Sequence, residues 1–172
     1  MERAYISAGS NLGDRAANLD FALRSLNRGG TVSKVSSYFE TEPVGFSYQP
    51  WFLNIAIELT TDLSPFDLLA LCRDIEASCG RVRTFPNAPR TLDLDILLHG
   101  DAILNQEELT IPHPRMLERK FVLKPLAQIA PGLVHPVLKQ PIRLLLEACS
   151  DPSEVRFFRR PPDAGRGSSG KS

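Results

Sequence analysis

The sequence predicts an α+β fold in which two helices lie on one face of an antiparallel sheet. Three observations carry that reading. Residues 51–59, WFLNIAIEL, alternate strictly: Trp51, Leu53, Ile55, Ile57 and Leu59 form a core face, and Phe52, Asn54, Ala56 and Glu58 form the other. Residues 92–98 alternate in the same way, with Leu92, Leu94, Ile96 and Leu98 set against Asp93, Asp95 and Leu97. Two helical patterns, each stopped by glycine, lie one before each of these strands.

In chain order, residues 3–9 (RAYISAG) read as a strand that opens into Ser10-Asn11-Leu12-Gly13. Leu12, Ala16, Leu19, Leu23 and Leu26 follow at helical spacing, and Gly29-Gly30 ends that helix. Residues 31–39, TVSKVSSYF, are rich in β-branched and aromatic types and predict a second strand. The stretch 40–50, ETEPVGFSYQP, holds two prolines and a glycine and predicts a long loop. After the strand over 51–59, Ser64-Pro65 supplies an N-cap and a first-turn proline. Leu68, Leu71, Cys72, Ile75 and Cys79 make the buried stripe of the second helix, which Gly80 stops. Residues 81–91, RVRTFPNAPRT, are irregular and lead into the last strand. The order β-α-β-β-α-β is the ferredoxin-like, split βαβ arrangement. Extra helical segments are expected over 115–129 and 141–148. The expected domain runs over 1–158, and a Pro-, Gly-, Ser- and Arg-rich tail over 159–172 is expected to be disordered.

At 172 residues the chain suits one core. Lys plus Arg and Asp plus Glu each number 20, so no net field draws it to nucleic acid or anionic lipid. No apolar run reaches the ~18 residues of a membrane span. The start, MERAYISAGSN, has no apolar core of a secretory signal. Cys72, Cys79 and Cys149 lack CxxC spacing and are odd in number, which predicts reduced thiols in a cytoplasmic protein. A monomer is expected.

Net neutrality hides a local concentration of both signs. Arg81, Arg83 and Arg90 immediately precede Asp93 and Asp95. On a strand these two carboxylates point the same way, with Cα atoms about 6.5–7 Å apart. They repel each other unless a hard cation relieves them, and Mg²⁺ shared with substrate phosphates does so. A solvated strand face is the alternative. Guanidinium forks match phosphate oxygens, although surface acids would also pair with them. Together the two sets describe a polyphosphate site. Phe52 and Asn54 place a ring and an amide on the non-core side of their strand. That surface suits a flat, hydrogen-bonding heterocycle, or packing beneath a loop. His113, in the turn Thr110-Ile111-Pro112-His113-Pro114, reads by itself as a surface histidine. Gly165–Ser172, GRGSSGKS, matches the P-loop pattern. It is expected to be a decoy, because PPDAG before it is no strand and no helix follows Ser172.

With these residues in view, the chain resembles the 6-hydroxymethyl-7,8-dihydropterin pyrophosphokinases of the folate pathway. The resemblance runs from about Ala4 to Val137. Its markers are Gly9-Ser10-Asn11-Leu12, Thr41-Glu42-Pro43, Phe52-Leu53-Asn54, Gly80-Arg81-Val82-Arg83, Pro89-Arg90-Thr91-Leu92-Asp93-Leu94-Asp95-Ile96, Pro112-His113-Pro114 and Phe121. It implies a ferredoxin-like fold and transfer of pyrophosphate from ATP to a hydroxymethylpterin, with AMP as the other product. It further implies that Asp93 and Asp95 hold two Mg²⁺ ions and that Arg81 and Arg90, on a mobile loop, stabilise the transferring charge. Arg83, Arg90, Asp93, Asp95, Ile96, Thr110, His113 and Arg119 would line the ATP site. The pterin would stack between Phe52 and Phe121, with Asn54 and groups near Thr41 and Val44 reading its edge. Pro86 and Asn87 stand where the family often has a basic residue and a tryptophan, and Phe52 where tyrosine is common. A pterin- or nucleotide-binding module without turnover would have no need of the paired carboxylates.

Overall fold

The strict alternation of residues 52–61 makes one long strand central to the sheet, and the rest of the fold is arranged around it. In the computed structural model, residues 1–43, 48–79 and 91–162 are described. In chain order the elements are β1 (Glu2–Ser10), α1 (Arg15–Leu26), β2 (Gly30–Val35), β3 (Tyr38–Thr41), β4 (Phe52–Thr61), α2 (Pro65–Ser78) and β5 (Asp93–His99). The short strands β6 (Leu104–Asn105) and β7 (Thr110–Ile111), a 3₁₀ turn at Met116–Glu118, α3 (Lys120–Ile129), α4 (Ile142–Ala148) and β8 (Val155–Arg159) follow. The main sheet has the order β5-β1-β4-β3-β8, with β2 also paired to β4, and its pairings are antiparallel. This is the expected ferredoxin-like arrangement with additions.

Each of the first two helices begins where the sequence supplies a cap. Asp14 accepts the Ala17 N–H at 3.0 Å, and Ser64 accepts the Asp67 N–H at 3.1 Å with Pro65 in the first turn. The apolar stripes of α1 and α2 then cover one face of the sheet. Ala4, Ile6, Ala8, Leu53, Ile55, Ile57, Leu59, Leu94 and Ile96 meet Leu19, Leu23, Leu26, Leu68, Cys72 and Ile75 there. A second core lies on the opposite face, where Tyr5, Ala56, Leu97 and Leu98 meet Met116, Val122, Leu123, Leu126, Ile142 and Leu145. The extra helices thus cover part of this second face. The polar ends of β1, β4 and β5 occupy the rest, and the candidate site lies there.

Three departures from the sequence expectation have physical causes. The strand expected over 31–39 is two strands, β2 and β3, both paired to β4. Ser36 breaks the run between them, because its hydroxyl accepts the Ala56 N–H at 2.9 Å in place of a ladder partner. In β5 the strict alternation fails at the end. Ile96 pairs with Ile6 but Leu98 pairs with Tyr5, so one extra residue, Leu97, is inserted and Leu98 turns to the second core. Finally, β8 is an added edge strand, and Arg159 is its last residue. Its arginines each find partners: Arg156 pairs with Glu40 at 2.8 Å and lies over the Trp51 ring, and Arg159 donates to Asp20 at 3.0 Å and lies over Tyr38. The P-loop-like stretch falls within residues 163–172, outside the described residues. The three cysteines are free. No helix among the described residues is long and apolar enough to cross a membrane.

Candidate active site

Strand register assembles the site. Gly9 of β1 stands opposite Asn54 of β4 on one side and Asp93 of β5 on the other. Phe39 of β3 continues this row beyond Asn54, and Thr41 stands opposite Phe52. Because side chains of cross-strand partners share a face, Asp93, Gly9 and Asn54 form one row across the sheet. Two strand spacings separate the carboxylate strand from the amide strand, about 10 Å. Asp95 lies two residues along β5, opposite Ser7, on the same face.

Gly9 is the floor between the two halves. A methyl group on its Cα would lie 2.5 Å from Asn54 Oδ1 and 3.4 Å from the Phe52 ring. The amide is held from its other end, where Asn54 Nδ2 donates to Thr41 Oγ1 at 2.6 Å in a buried setting. Asn11 is buried as well and donates to Gln49 Oε1 at 2.6 Å and to the Pro50 carbonyl at 3.1 Å. It ties the turn after β1 to the entry of β4, next to Phe52.

The outer edge of β5 carries a second set of groups. The Leu94 N–H donates to Glu76 Oε2 of α2 at 2.7 Å, so it faces away from β1. Backbone groups of residues i and i+2 face the same edge, so those of Ile96 do too. The Ile96 side chain is buried in the first core. One residue on, the Leu97 carbonyl accepts the His113 N–H at 3.0 Å, which fixes the histidine against β5. Thr110 sits on β7, which packs on β5, and donates to the Gln106 carbonyl at 3.3 Å. The Arg119 guanidinium, at the start of α3, lies 5.6 Å from the centre of the Phe121 ring.

His113 Nδ1 accepts the Arg115 N–H at 3.2 Å, so in the neutral ring Nε2 carries the proton. Burial first, then the Arg119 charge, push its pKa down to about 4; Asp93 opposes this and Arg115 adds to it. The ring therefore presents a neutral N–H donor at physiological pH. Its folded pKa lies below the unfolded value of about 6.5, so its stabilising contribution is complete above that pH and is lost as pH falls towards 4. An NMR titration of the ligand-free protein should place the His113 midpoint near 4. A midpoint of about 6 or above, near that of an unperturbed histidine, would contradict the buried, arginine-flanked setting.

The structure therefore brings Asp93, Asp95, Thr110, His113 and Arg119 to the β5 end of the face, and Thr41, Phe52 and Asn54 to the β3–β4 end, with Phe121 on the covering helix. Val44, Arg81, Arg83 and Arg90 lie outside the described residues. Gly9, Asn11 and Glu76 are contributors that a residue-type search passes over. Glu76 had a signal: it is an acid on the apolar stripe of α2, four residues after Cys72. The thiol of Cys72 is no nucleophile, since burial, with Glu76 and Asp95 adding, pushes it up to about 12. Among the described residues no group of three or more His, Cys, Asp and Glu converges. A pair of carboxylates suits a hard cation that shares its remaining positions with phosphate oxygens and water, and does not suit a closed structural zinc site.

Residues 5–131 match the family model for 7,8-dihydro-6-hydroxymethylpterin-pyrophosphokinase. Among curated proteins, the chain is 52% identical over 128 residues to the 2-amino-4-hydroxy-6-hydroxymethyldihydropteridine pyrophosphokinase of Bacillus subtilis, covering 73% of this chain and 77% of that protein. It is 46% identical over 136 residues to the protein of the same name from Methylorubrum extorquens, covering 78% and 86%. It is also 44% identical over 146 residues to the folic acid synthesis protein fol1 of Schizosaccharomyces pombe, where the match covers 84% of this chain but spans only 20% of that longer protein. Among solved structures, the wild-type HPPK-DHPS of Plasmodium falciparum with pteroate superposes with a TM-score of 0.69 at 18% identity, over 86% of this chain and 42% of that one, a likeness of fold. Given the length of the family match, the chain belongs to the 7,8-dihydro-6-hydroxymethylpterin-pyrophosphokinase family.

Proposed function

We propose that this chain transfers a pyrophosphoryl group from ATP to the hydroxymethyl group of 6-hydroxymethyl-7,8-dihydropterin, releasing AMP, as a step of folate biosynthesis in the cytoplasm. The observation that carries this reading is the row Asp93–Gly9–Asn54. It sets a carboxylate pair and an amide-and-ring pocket about 10 Å apart on one sheet face. A pterin seated on Asn54 and Thr41, stacked between Phe52 and Phe121, would direct its hydroxymethyl arm along that row towards Asp93. Backbone near Val44 would complete the reading of its edge.

Asp93 and Asp95 would hold two Mg²⁺ ions, which when bound supply Lewis-acid charge to the phosphate oxygens. The chain's own groups do the rest. His113 donates a neutral Nε2–H, Arg83 and Arg119 bring positive charge, and Thr110 and the outer-edge backbone of Ile96 place the nucleotide. Arg81 and Arg90 neutralise charge on the transferring group. In-line attack needs the hydroxymethyl oxygen about 3–3.5 Å from the β-phosphorus, and a rigid sheet that carries both subsites is suited to hold that geometry. The catalytic unit would be a monomer formed by residues 1–158.

The test is product identity. Incubation with ATP, Mg²⁺ and the reduced hydroxymethylpterin should give AMP and pterin diphosphate in equal amounts, separated by chromatography. Stoichiometric ADP with a pterin monophosphate would overturn the reaction type.

A further inference from the structure

The segment between α4 and the end of β8 lies beyond the residues matched to the family, and it touches both walls of the proposed pterin pocket. At one end, Asp151 Oδ2 accepts the Lys120 N–H at 3.0 Å, at the start of α3 and next to Phe121. The same carboxylate accepts the Ser153 N–H through Oδ1 at 2.9 Å, which sets the turn out of the loop. At the other end, Val155 pairs with Thr41, the residue that holds the Asn54 amide and stands opposite Phe52. Two further bonds lock the arrangement. Lys124 Nζ, one turn along α3, donates to the Val155 carbonyl at 3.1 Å, and Glu42 accepts the Glu154 N–H at 2.5 Å.

We infer that residues 151–155 are a positioning strap that sets the separation of Phe121 from Phe52 and Asn54, with Asp151 as its principal anchor. The inference rests on the pterin-pocket reading above. The physical basis is chain length. Four residue steps reach at most about 14 Å, so fixing Asp151 to α3 and Val155 to β3 limits how far the two walls can part. Phe52 and Phe121 stand on different elements. The far end of α3 is tied to the sheet by Gln128, which accepts the Ser37 N–H at 2.6 Å and donates to Ser37 Oγ at 3.0 Å, so the strap is the tie at the Phe121 end. The strap also gives Glu42 a role, since its carboxylate accepts the strap's Glu154 N–H. Asp151 and Lys124 touch no substrate in this scheme, so they are positioning residues.

The experiment uses the full chain and three variants, Asp151→Ala, Asp151→Asn and Lys124→Met. KM for reduced hydroxymethylpterin, KM for ATP and kcat are measured for each, together with thermal melting. The expected result is a five- to tenfold rise in pterin KM for Asp151→Ala, with ATP KM within twofold. Asp151→Asn, which keeps an acceptor oxygen, should recover most of the loss, and Lys124→Met should raise pterin KM in the same direction. A merely structural role would lower kcat through loss of folded enzyme and leave the two KM values unchanged. Pterin KM within twofold of the parent in both Asp151→Ala and Lys124→Met, or an equal rise for both substrates, would overturn the strap while leaving the function standing. A parent chain that binds both ligands but turns nothing over would instead overturn the functional reading and the strap with it.

Discussion

Asp93→Asn and Asp95→Asn should each lower kcat by about a thousandfold or more, equivalent to about 4 kcal/mol of transition-state stabilisation. Each replaces an anionic carboxylate oxygen, which in the proposed function would hold Mg²⁺, by a neutral amide. The two carboxylates lie on one face of β5, opposite Gly9 and Ser7, and both are only partly exposed. Asn keeps the size and shape of Asp, so each variant should still fold and give a cooperative melting transition. The combination is diagnostic: fold kept, turnover lost. Steady-state rates at saturating Mg²⁺ together with calorimetric melting read both. Rates within tenfold of the parent for both variants would remove the carboxylate pair from the mechanism.

The second large effect is expected at a residue with no chemistry of its own. Gly9→Ala should weaken pterin binding about ten- to hundredfold with a much smaller change for ATP. The added methyl would sit 2.5 Å from Asn54 Oδ1. The amide cannot turn away freely, because Thr41 holds its nitrogen at 2.6 Å in a buried setting. Breaking that bond leaves a buried polar group unmatched, a cost of about 1–3 kcal/mol. Calorimetric titration with the pterin checks the affinity. A double-mutant cycle with Asn54→Ala checks the cause, since the methyl should cost little stability once the amide is gone. Unchanged pterin affinity in Gly9→Ala would show that the Asn54 amide is not part of the pocket.

These two cases differ in how legible they were. Asp93-Leu94-Asp95 announces itself, because residues two apart on a strand must share a face. The ring and amide of Phe52 and Asn54 were legible by the same rule. Gly9 was visible only as part of a family marker. Its role follows from pairing with two strands at once, one about 45 residues and one about 84 residues further along the chain, which no local pattern encodes. What Glu76 does was hidden for a similar reason, although an acid on an apolar stripe was visible. Its partner, the Leu94 N–H, needs an acceptor from outside the sheet only once β5 is known to be an outer strand.

By itself the sequence determined the order of the βαββαβ core, the cap of α2, the two faces of β4 and the chemical character of the site. Those are local properties, written in periodicities of 2 and 3.6 residues and in capping geometry. Tertiary structure alone decided the rest. It split the strand over 31–39 at Ser36, because that hydroxyl found the Ala56 N–H on another strand. It turned Leu98 to the second core through one inserted residue in β5. It drew Val155–Arg159 onto the sheet edge, where Arg156 and Arg159 meet Glu40 and Asp20, acids more than a hundred residues earlier. Each outcome rests on which backbone or side-chain groups lack a partner once the chain has packed, and that is known only when distant segments are side by side.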